Sequence, residues 1–182
     1  VGSDLQGKTL GILGLGRIGR TLAKRAKAFD MKLVYYNRKR ISKTREKILG
    51  IKYVSFEKLI TQSDIISIHV PHTKETDHMF NMKIFRKMKK SAFLINTSRG
   101  KIVNEKDLVT ALKKKMIAGV GLDVFEIEPI SKKHPLVKLQ NVVLAPHIGS
   151  STKETRIKMA EITVKTLKLG MSGKKPIYSV GY

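Results

Sequence analysis

Three short clusters in the second half of the chain carry groups able to move a proton while gripping an anion. They are Asn96-Thr97-Ser98-Arg99-Gly100, Glu126-Ile127-Glu128-Pro129 and Pro146-His147-Ile148-Gly149. A carboxylate near an imidazole orients the ring and favours its protonated form. A guanidinium adds a fixed fork of donors that suits a carboxylate and an adjacent carbonyl oxygen. Histidine at such a place is often only structural, but Glu128 and Arg99 shift the balance toward chemistry. Upstream lies a glycine-rich loop, Gly14-Leu15-Gly16-Arg17-Ile18-Gly19. A proton relay paired with a phosphate-binding loop points to hydride chemistry.

The elements that must position these groups alternate between short β-rich runs and longer helical patterns. Strands are expected at residues 9–13, 32–36, 65–70, 92–95, 118–124 and 142–144. Helices are expected at residues 17–29, with Ile18, Leu22 and Ala26 on one face, at 82–89, and at 104–114, capped by Asn104. A long amphipathic segment covers 152–169, with Ile157, Ala160, Val164 and Leu167 at helical spacing and Gly170 and Gly173 ending it. Continuous apolar strands alternating with helices imply an α/β fold, a mainly parallel, doubly wound sheet of Rossmann type with helices on both faces. In such sheets ligands bind outside the carboxyl ends of the strands, where all three clusters fall.

The glycine loop follows a strand and opens a helix, the context that separates a nucleotide fingerprint from an ordinary turn. Gly14 permits the tight turn, Gly16 the approach of a pyrophosphate to the backbone, and Gly19 close packing of helix on strand. The free N–H groups at the helix start, among them those of Arg17 and Ile18, then face negative charge. About 20 residues on, where an NAD site normally presents Asp or Glu, the chain has Asn37-Arg38-Lys39-Arg40. Asn does not repel a 2′-phosphate, and Arg38 with a basic neighbour can pair with one. NADP(H) is therefore favoured over NAD(H); the competing reading is a solvated basic loop and a dual-specific site.

Composition bounds the remaining possibilities. The 182 residues suit one well-buried domain, and the 41% apolar share suits a soluble globular one. No apolar run approaches the roughly 18 residues of a membrane helix. Zero cysteines exclude disulfides, cysteine nucleophiles and thiolate metal sites, and no metal is expected. The cytoplasm is the expected compartment. The formal charge of +23 admits a polyanion partner, but the basic residues are scattered and no aromatics interleave with the dense run around residues 38–47. Scattered solvated lysines, aiding attraction of an anionic cofactor and substrate, are the favoured reading, and nucleic acid is not an expected partner.

From about residue 7 to 170 the chain resembles the nucleotide-binding domain of the D-isomer-specific 2-hydroxyacid dehydrogenases. The matching stretches are GKTLGILGLGRIG, NTSRG, GLDVFEIEP and APHIGSST, in the family's order and spacing. The resemblance implies that Arg99 binds the 2-oxo acid, His147 is the general acid/base and Glu128, directly before proline, supports it in preference to Glu126. It also implies that Thr97, Ser98, Asp123 and the His147-Ile148-Gly149 segment lie near the nicotinamide. His69, His72, His78 and His134 match no catalytic position and are expected to be structural or solvated. The Glu-Pro station is unlike formate dehydrogenases. The Asn-Arg pair is similar to glyoxylate and hydroxypyruvate reductases that accept NADPH, which makes glyoxylate or hydroxypyruvate the expected substrate.

Full members of that family carry a discontinuous substrate-binding domain, mostly ahead of the nucleotide domain. Here residues 1–173 are expected to form the NAD(P)-binding domain and 174–182 a tail, with the substrate domain largely absent. The chain is accordingly expected to bind cofactor, to turn over poorly alone, and to form the homodimer common in the family. A cofactor-sensing, corepressor-like interaction module is the rival reading of the same fold.

Overall fold

The computed structural model describes residues 2–178. Seven strands form one fully parallel sheet: β1 (Thr9–Leu13), β2 (Lys32–Tyr36), β3 (Ile51–Tyr53), β4 (Ile65–Ile68), β5 (Phe93–Asn96), β6 (Gly119–Leu122) and β7 (Val142–Leu144), in the spatial order β3-β2-β1-β4-β5-β6-β7. The helices are α1 (Arg17–Lys27), α2 (Lys43–Leu49), α3 (Phe56–Gln62), α4 (Met82–Phe85), α5 (Glu105–Lys113) and α6 (Lys153–Met171). The Rossmann-type doubly wound α/β architecture is as expected. Strand side chains alternate between two cores. Leu10, Ile12, Leu33 and Tyr35 join Ala23, Ala26 and Leu49 on one face. Leu13, Val34, Ile66 and Ile68 join Leu59, Ile60 and Phe85 on the other. Both faces of the central strands are buried, which is why those strands read as continuous apolar runs, while β7 at the edge leaves Val143 exposed.

Several boundaries and faces differ from expectation. The expected helix at 17–29 stops at Lys27, and its buried face is Gly19, Ala23 and Ala26, leaving Ile18 70% exposed. Small residues win that face because α1 lies close against the sheet. The expected helix at 82–89 is only the single turn of α4. Three elements had no clear sequence signal: α2, inside the basic run, β3, and α3. Asn104 caps α5 as anticipated, its Oδ1 accepting from Asp107 N–H at 2.9 Å.

The contacts divide the chain into two compact units, residues 1–147 and 148–182. The second contains α6, capped by Thr152, whose Oγ1 accepts from Thr155 N–H at 3.2 Å. The helix runs through Gly170 to Met171, and Gly173 then takes a positive φ of 70°. None of its residues is buried, and Ile157, Val164 and Leu167 are half or more exposed. Of the expected tail, residues 179–182 lie outside the described residues. No described helix is long and apolar enough to cross a membrane.

An ion cluster anchors the segment that follows β2. Glu46 of α2 accepts from the Tyr35 hydroxyl at 2.7 Å and from Arg40 Nε and Nη2 at 2.8 and 2.6 Å. The Tyr35 oxygen in turn accepts from Ile41 N–H at 3.1 Å, and Arg40 lies over the Tyr53 ring. Arg40's hydrogen bonds are the largest cause holding the Glu46 carboxyl down at about 2, while burial pushes Tyr35 up to about 12. An unfolded glutamate titrates near 4.5, so the stabilisation from Glu46 is complete above that pH and is lost as pH falls toward about 2. A Glu46→Gln variant is expected to melt below wild type at pH 7, with the gap closing between pH 4.5 and about 2 in thermal unfolding scans.

Candidate active site

The strand order reverses at β1: β2 lies on one side and β4 on the other. The loops leaving β1 and β4 therefore part, and a cleft of about 560 Å³ opens between them. Gly14, Leu15 and Gly16 form one wall, Asn37, Arg38 and Lys39 the end beyond β2, and His69, Val70, Pro71, Thr73, Glu75, Thr76 and Met79 the other wall. Gly14 holds φ at 95°, and a Cβ there would stand 2.7 Å from the His69 carbonyl oxygen. Gly19 packs so that a Cβ would meet the Gly14 carbonyl oxygen at 2.4 Å, whereas beside Gly16 there is open space. A dinucleotide fits this cradle: two glycines close the turn and the third leaves its backbone bare to the cleft. Arg17 and Ile18 line an adjoining hollow shared with His69.

Asn37 Oδ1 accepts from Leu15 N–H at 2.7 Å, so its acceptor faces the glycine loop and its amide N–H₂ is left for other partners. Arg38 and Lys39 are exposed on the cleft, while Arg40 is turned to Glu46. The cleft's one carboxylate, Glu75, accepts from Thr73 Oγ1 at 2.6 Å, and its carboxyl is held below the usual range chiefly by that bond, with Arg38 contributing a weaker attraction. The wall from His69 to Met79 carried no motif. The available signal was topological, the carboxyl end of the strand on the far side of β1.

The three chemical clusters leave neighbouring strands, because Asn96, Leu122 and Leu144 end β5, β6 and β7 in matched register. The fully buried Asn96 shapes the first turn: its Oδ1 accepts from Ser98 N–H at 3.0 Å and its Nδ2 donates to the Arg99 carbonyl at 2.9 Å. Arg99 is exposed, with Nη1 donating to the Ser98 carbonyl at 2.7 Å. The Ser98 hydroxyl donates to the Val70 carbonyl, joining this turn to the cleft wall. Thr97 is exposed, and Asp123 is buried at the end of β6, with its N–H donating to the Asn96 carbonyl at 3.0 Å.

Glu128, before a cis peptide to Pro129, accepts from Phe125 N–H through Oε1 at 3.0 Å. Its Oε2 lies 2.7 Å from His147 Nδ1. The bond from His147 is the largest cause holding the Glu128 carboxyl below the usual range, and the charge of Arg99 acts in the same direction. An ionised carboxylate can only accept, which assigns the proton to Nδ1 and leaves Nε2 as the second acid/base nitrogen of the ring. His147 itself sits at φ 56°, a left-handed conformation uncommon outside glycine and frequent where a side chain is aimed for function. Arg99, Glu128 and His147 thus share one edge. Ile148 and Gly149 belong to the second compact unit. Among the other histidines, His69 borders the cleft with Nε2 2.8 Å from Ser67 Oγ, and burial pushes its pKa down. No group of three or more metal-ligating side chains is placed to hold an ion among the described residues.

A doubly wound sheet with a glycine cradle at its switch point defines a dinucleotide-binding domain, and an imidazole–carboxylate pair lies on the same edge. The chain belongs to the D-isomer specific 2-hydroxyacid dehydrogenase family, whose NAD binding domain matches residues 1–149. It is 52% identical over 176 residues to a glyoxylate reductase of Korarchaeum cryptofilum and 55% identical over 176 residues to one of Thermococcus litoralis. Each alignment covers 97% of this chain and 53% of the relative, so the chain spans about half the length of the curated relatives it matches. A solved glyoxylate reductase from Paecilomyes thermophila superposes with a TM-score of 0.92 at 40% identity, covering 99% of this chain and 54% of that one.

Because His147 lowers the pKa of Glu128, the pair resists acid below the ordinary glutamate range and is lost only as pH falls through the depressed value. Carboxyl-carbon NMR is expected to show Glu128 titrating at lower pH than in a His147→Ala variant, where it rises toward an ordinary glutamate.

Proposed function

We propose that this chain is the nucleotide-binding part of an oxidoreductase that reduces a small 2-oxo acid, glyoxylate or hydroxypyruvate, to the 2-hydroxy acid. The observation that carries this reading is the 2.7 Å His147–Glu128 pair, in the field of Arg99, on the same sheet edge as the glycine cradle. The printed names of the glyoxylate reductase relatives support it. Bound in the cleft, a reduced nicotinamide dinucleotide supplies hydride. Protonated His147 gives the Nε2 proton to the substrate carbonyl oxygen as negative charge develops there. Glu128 keeps the ring oriented and stabilises its cation. Arg99 grips the substrate's carboxylate and steadies the same oxygen. In the oxidative direction neutral His147 accepts the proton. Thr97, Ser98, Asp123, Ile148 and Gly149 are assigned to the nicotinamide end on family resemblance. The substrate's remaining contacts, and the homodimer, belong to the whole protein, which we place in the cytoplasm.

NADP(H) is the favoured cofactor. Asn37 directs its acceptor to Leu15 and not outward, and Arg38 and Lys39 border the cleft end where an NAD site normally offers a carboxylate. A charge-assisted bond to a phosphate contributes about 1.5–3 kcal/mol, so this chain is expected to bind NADPH at least about tenfold more tightly than NADH. Calorimetry with both cofactors tests this, and Arg38→Ala should abolish the difference. Tighter binding of NADH by wild type rejects the preference.

In the protein that contains this chain, glyoxylate-dependent oxidation of the reduced cofactor is expected to weaken as pH rises and His147 loses its proton. His147→Ala should lower kcat by about 10²-fold or more. A flat pH profile together with an active His147→Ala enzyme rejects the assignment.

A further inference from the structure

A second pair of glutamates, outside the proton-transfer pair, grips the turn on which Glu128 stands. Glu105, the first residue of α5, is 9% exposed. Its Oε1 accepts from Glu126 N–H at 2.8 Å, and its own N–H donates to Glu126 Oε1 at 2.8 Å. The two residues are thus bound reciprocally across 21 positions of sequence. His134 backs the arrangement: its Nδ1 accepts from Leu136 N–H, which leaves the proton on Nε2, 3.3 Å from Glu105 Oε2. On the far side His78 Nε2 stands 3.3 Å from Glu126 Oε1, an electrostatic contact without a hydrogen bond.

The peptide between Phe125 and Glu126 is the object held. Its N–H is the one bound by Glu105, and its other neighbour is Gly100. A Cβ at Gly100 would lie 1.9 Å from the Phe125 carbonyl carbon and 2.5 Å from Glu126 N, so only glycine admits this approach. Gly100 directly follows Arg99, and the preceding amide in the turn, Phe125 N–H, is the one bound by Glu128 Oε1. Consecutive amides are therefore fixed by Glu128 and by Glu105. Without the Glu105 carboxylate the second amide would lose its acceptor, and with it the bond that holds the turn against Gly100.

We propose that Glu105 is a positioning residue for the His147–Glu128 pair, acting through the Phe125–Glu126 peptide that it presses against Gly100. This rests on the assignment of His147 and Glu128 as the acid/base pair, and Glu105 touches neither. It also accounts for the two carboxylates of the EIEP segment: Glu126 secures the turn to α5, and Glu128 addresses the histidine.

The test follows the ring signals of His147 by NMR against pH in this chain, with Glu128→Gln marking a ring deprived of its carboxylate. Glu105→Ala is expected to move the ring's signals in the same direction as Glu128→Gln does. Glu105→Gln, which keeps an oxygen for the Glu126 amide, is expected to lie closer to wild type than to Glu105→Ala. A folded Glu105→Ala protein with the wild-type ring signals overturns the proposal, as does a Gln variant displaced as far as the Ala variant. Should Glu105→Ala not fold, hydrogen exchange in wild type decides. The Glu126 amide is expected to exchange at least about tenfold more slowly than the Ile127 amide, and equal rates overturn the proposal. Neither readout involves turnover, so a failed reductase assay would count against the function and leave this geometry separately measured.

Discussion

Parallel pairing of β1 with β2 on one side and β4 on the other is the constraint from which the rest follows. Strands that share a direction cannot be joined by hairpins, so every connection crosses a face of the sheet and returns over it. Every strand then ends at the same edge, and that edge collects the loops. At β1 the connections diverge and leave a cleft; at β5, β6 and β7 they run side by side and bring three chemical clusters into register. The cradle and the imidazole–carboxylate pair occupy one edge because the sheet offers no alternative.

Within that frame the acidic residues carry a disproportionate share of the positioning. The chain has 14 Asp and Glu against 37 Lys and Arg, so a carboxylate is surrounded by available cations and its partner has to be selected by geometry. The structure gives the selected ones several bonds each. Glu46 binds Tyr35 and Arg40 behind the cofactor end of the cleft. Asp64 accepts from Thr9 N–H at 2.9 Å and from Lys89 at 2.8 Å at the opening of β1. Glu105 and Glu126 brace the turn of Glu128, and Glu128 orients His147. Lysines, by contrast, are mostly solvated, as expected where ion pairs at a surface contribute little.

Much of this was legible from local pattern. The TLGIL run and the glycine loop are contiguous, and strand, turn and helix start are written in adjacent residues. The three clusters at strand ends were legible for the same reason, whereas the preference for Glu128 over Glu126 rested on family resemblance; in the structure it is Glu128 whose carboxylate lies 2.7 Å from His147. Other features depend on partners distant in sequence. The cleft wall from His69 to Met79 exists because β4 pairs with β1, a contact no local pattern encodes. Ile18 was expected inward from its spacing, but a helix lying close on a sheet buries Gly19 and Ala23 and turns larger neighbours outward. The short helix α2 was hidden in a run of lysines and arginines, since only Glu46 and Leu49 of its residues are buried and the acid is one among many bases.

The absence of a side chain at Gly100 has a mechanical meaning. The backbone carrying the guanidinium and the backbone carrying the histidine's carboxylate partner touch with no intervening atoms to compress or rearrange. Two loops separated by side chains can drift and be retuned one at a time by repacking. Two loops in main-chain contact have no such layer, and their spacing holds as long as the turn stays pressed against Gly100. The spacing between the Arg99 loop and the Glu128 turn is thereby set by direct van der Waals contact of two backbones, with no side chain between them to repack.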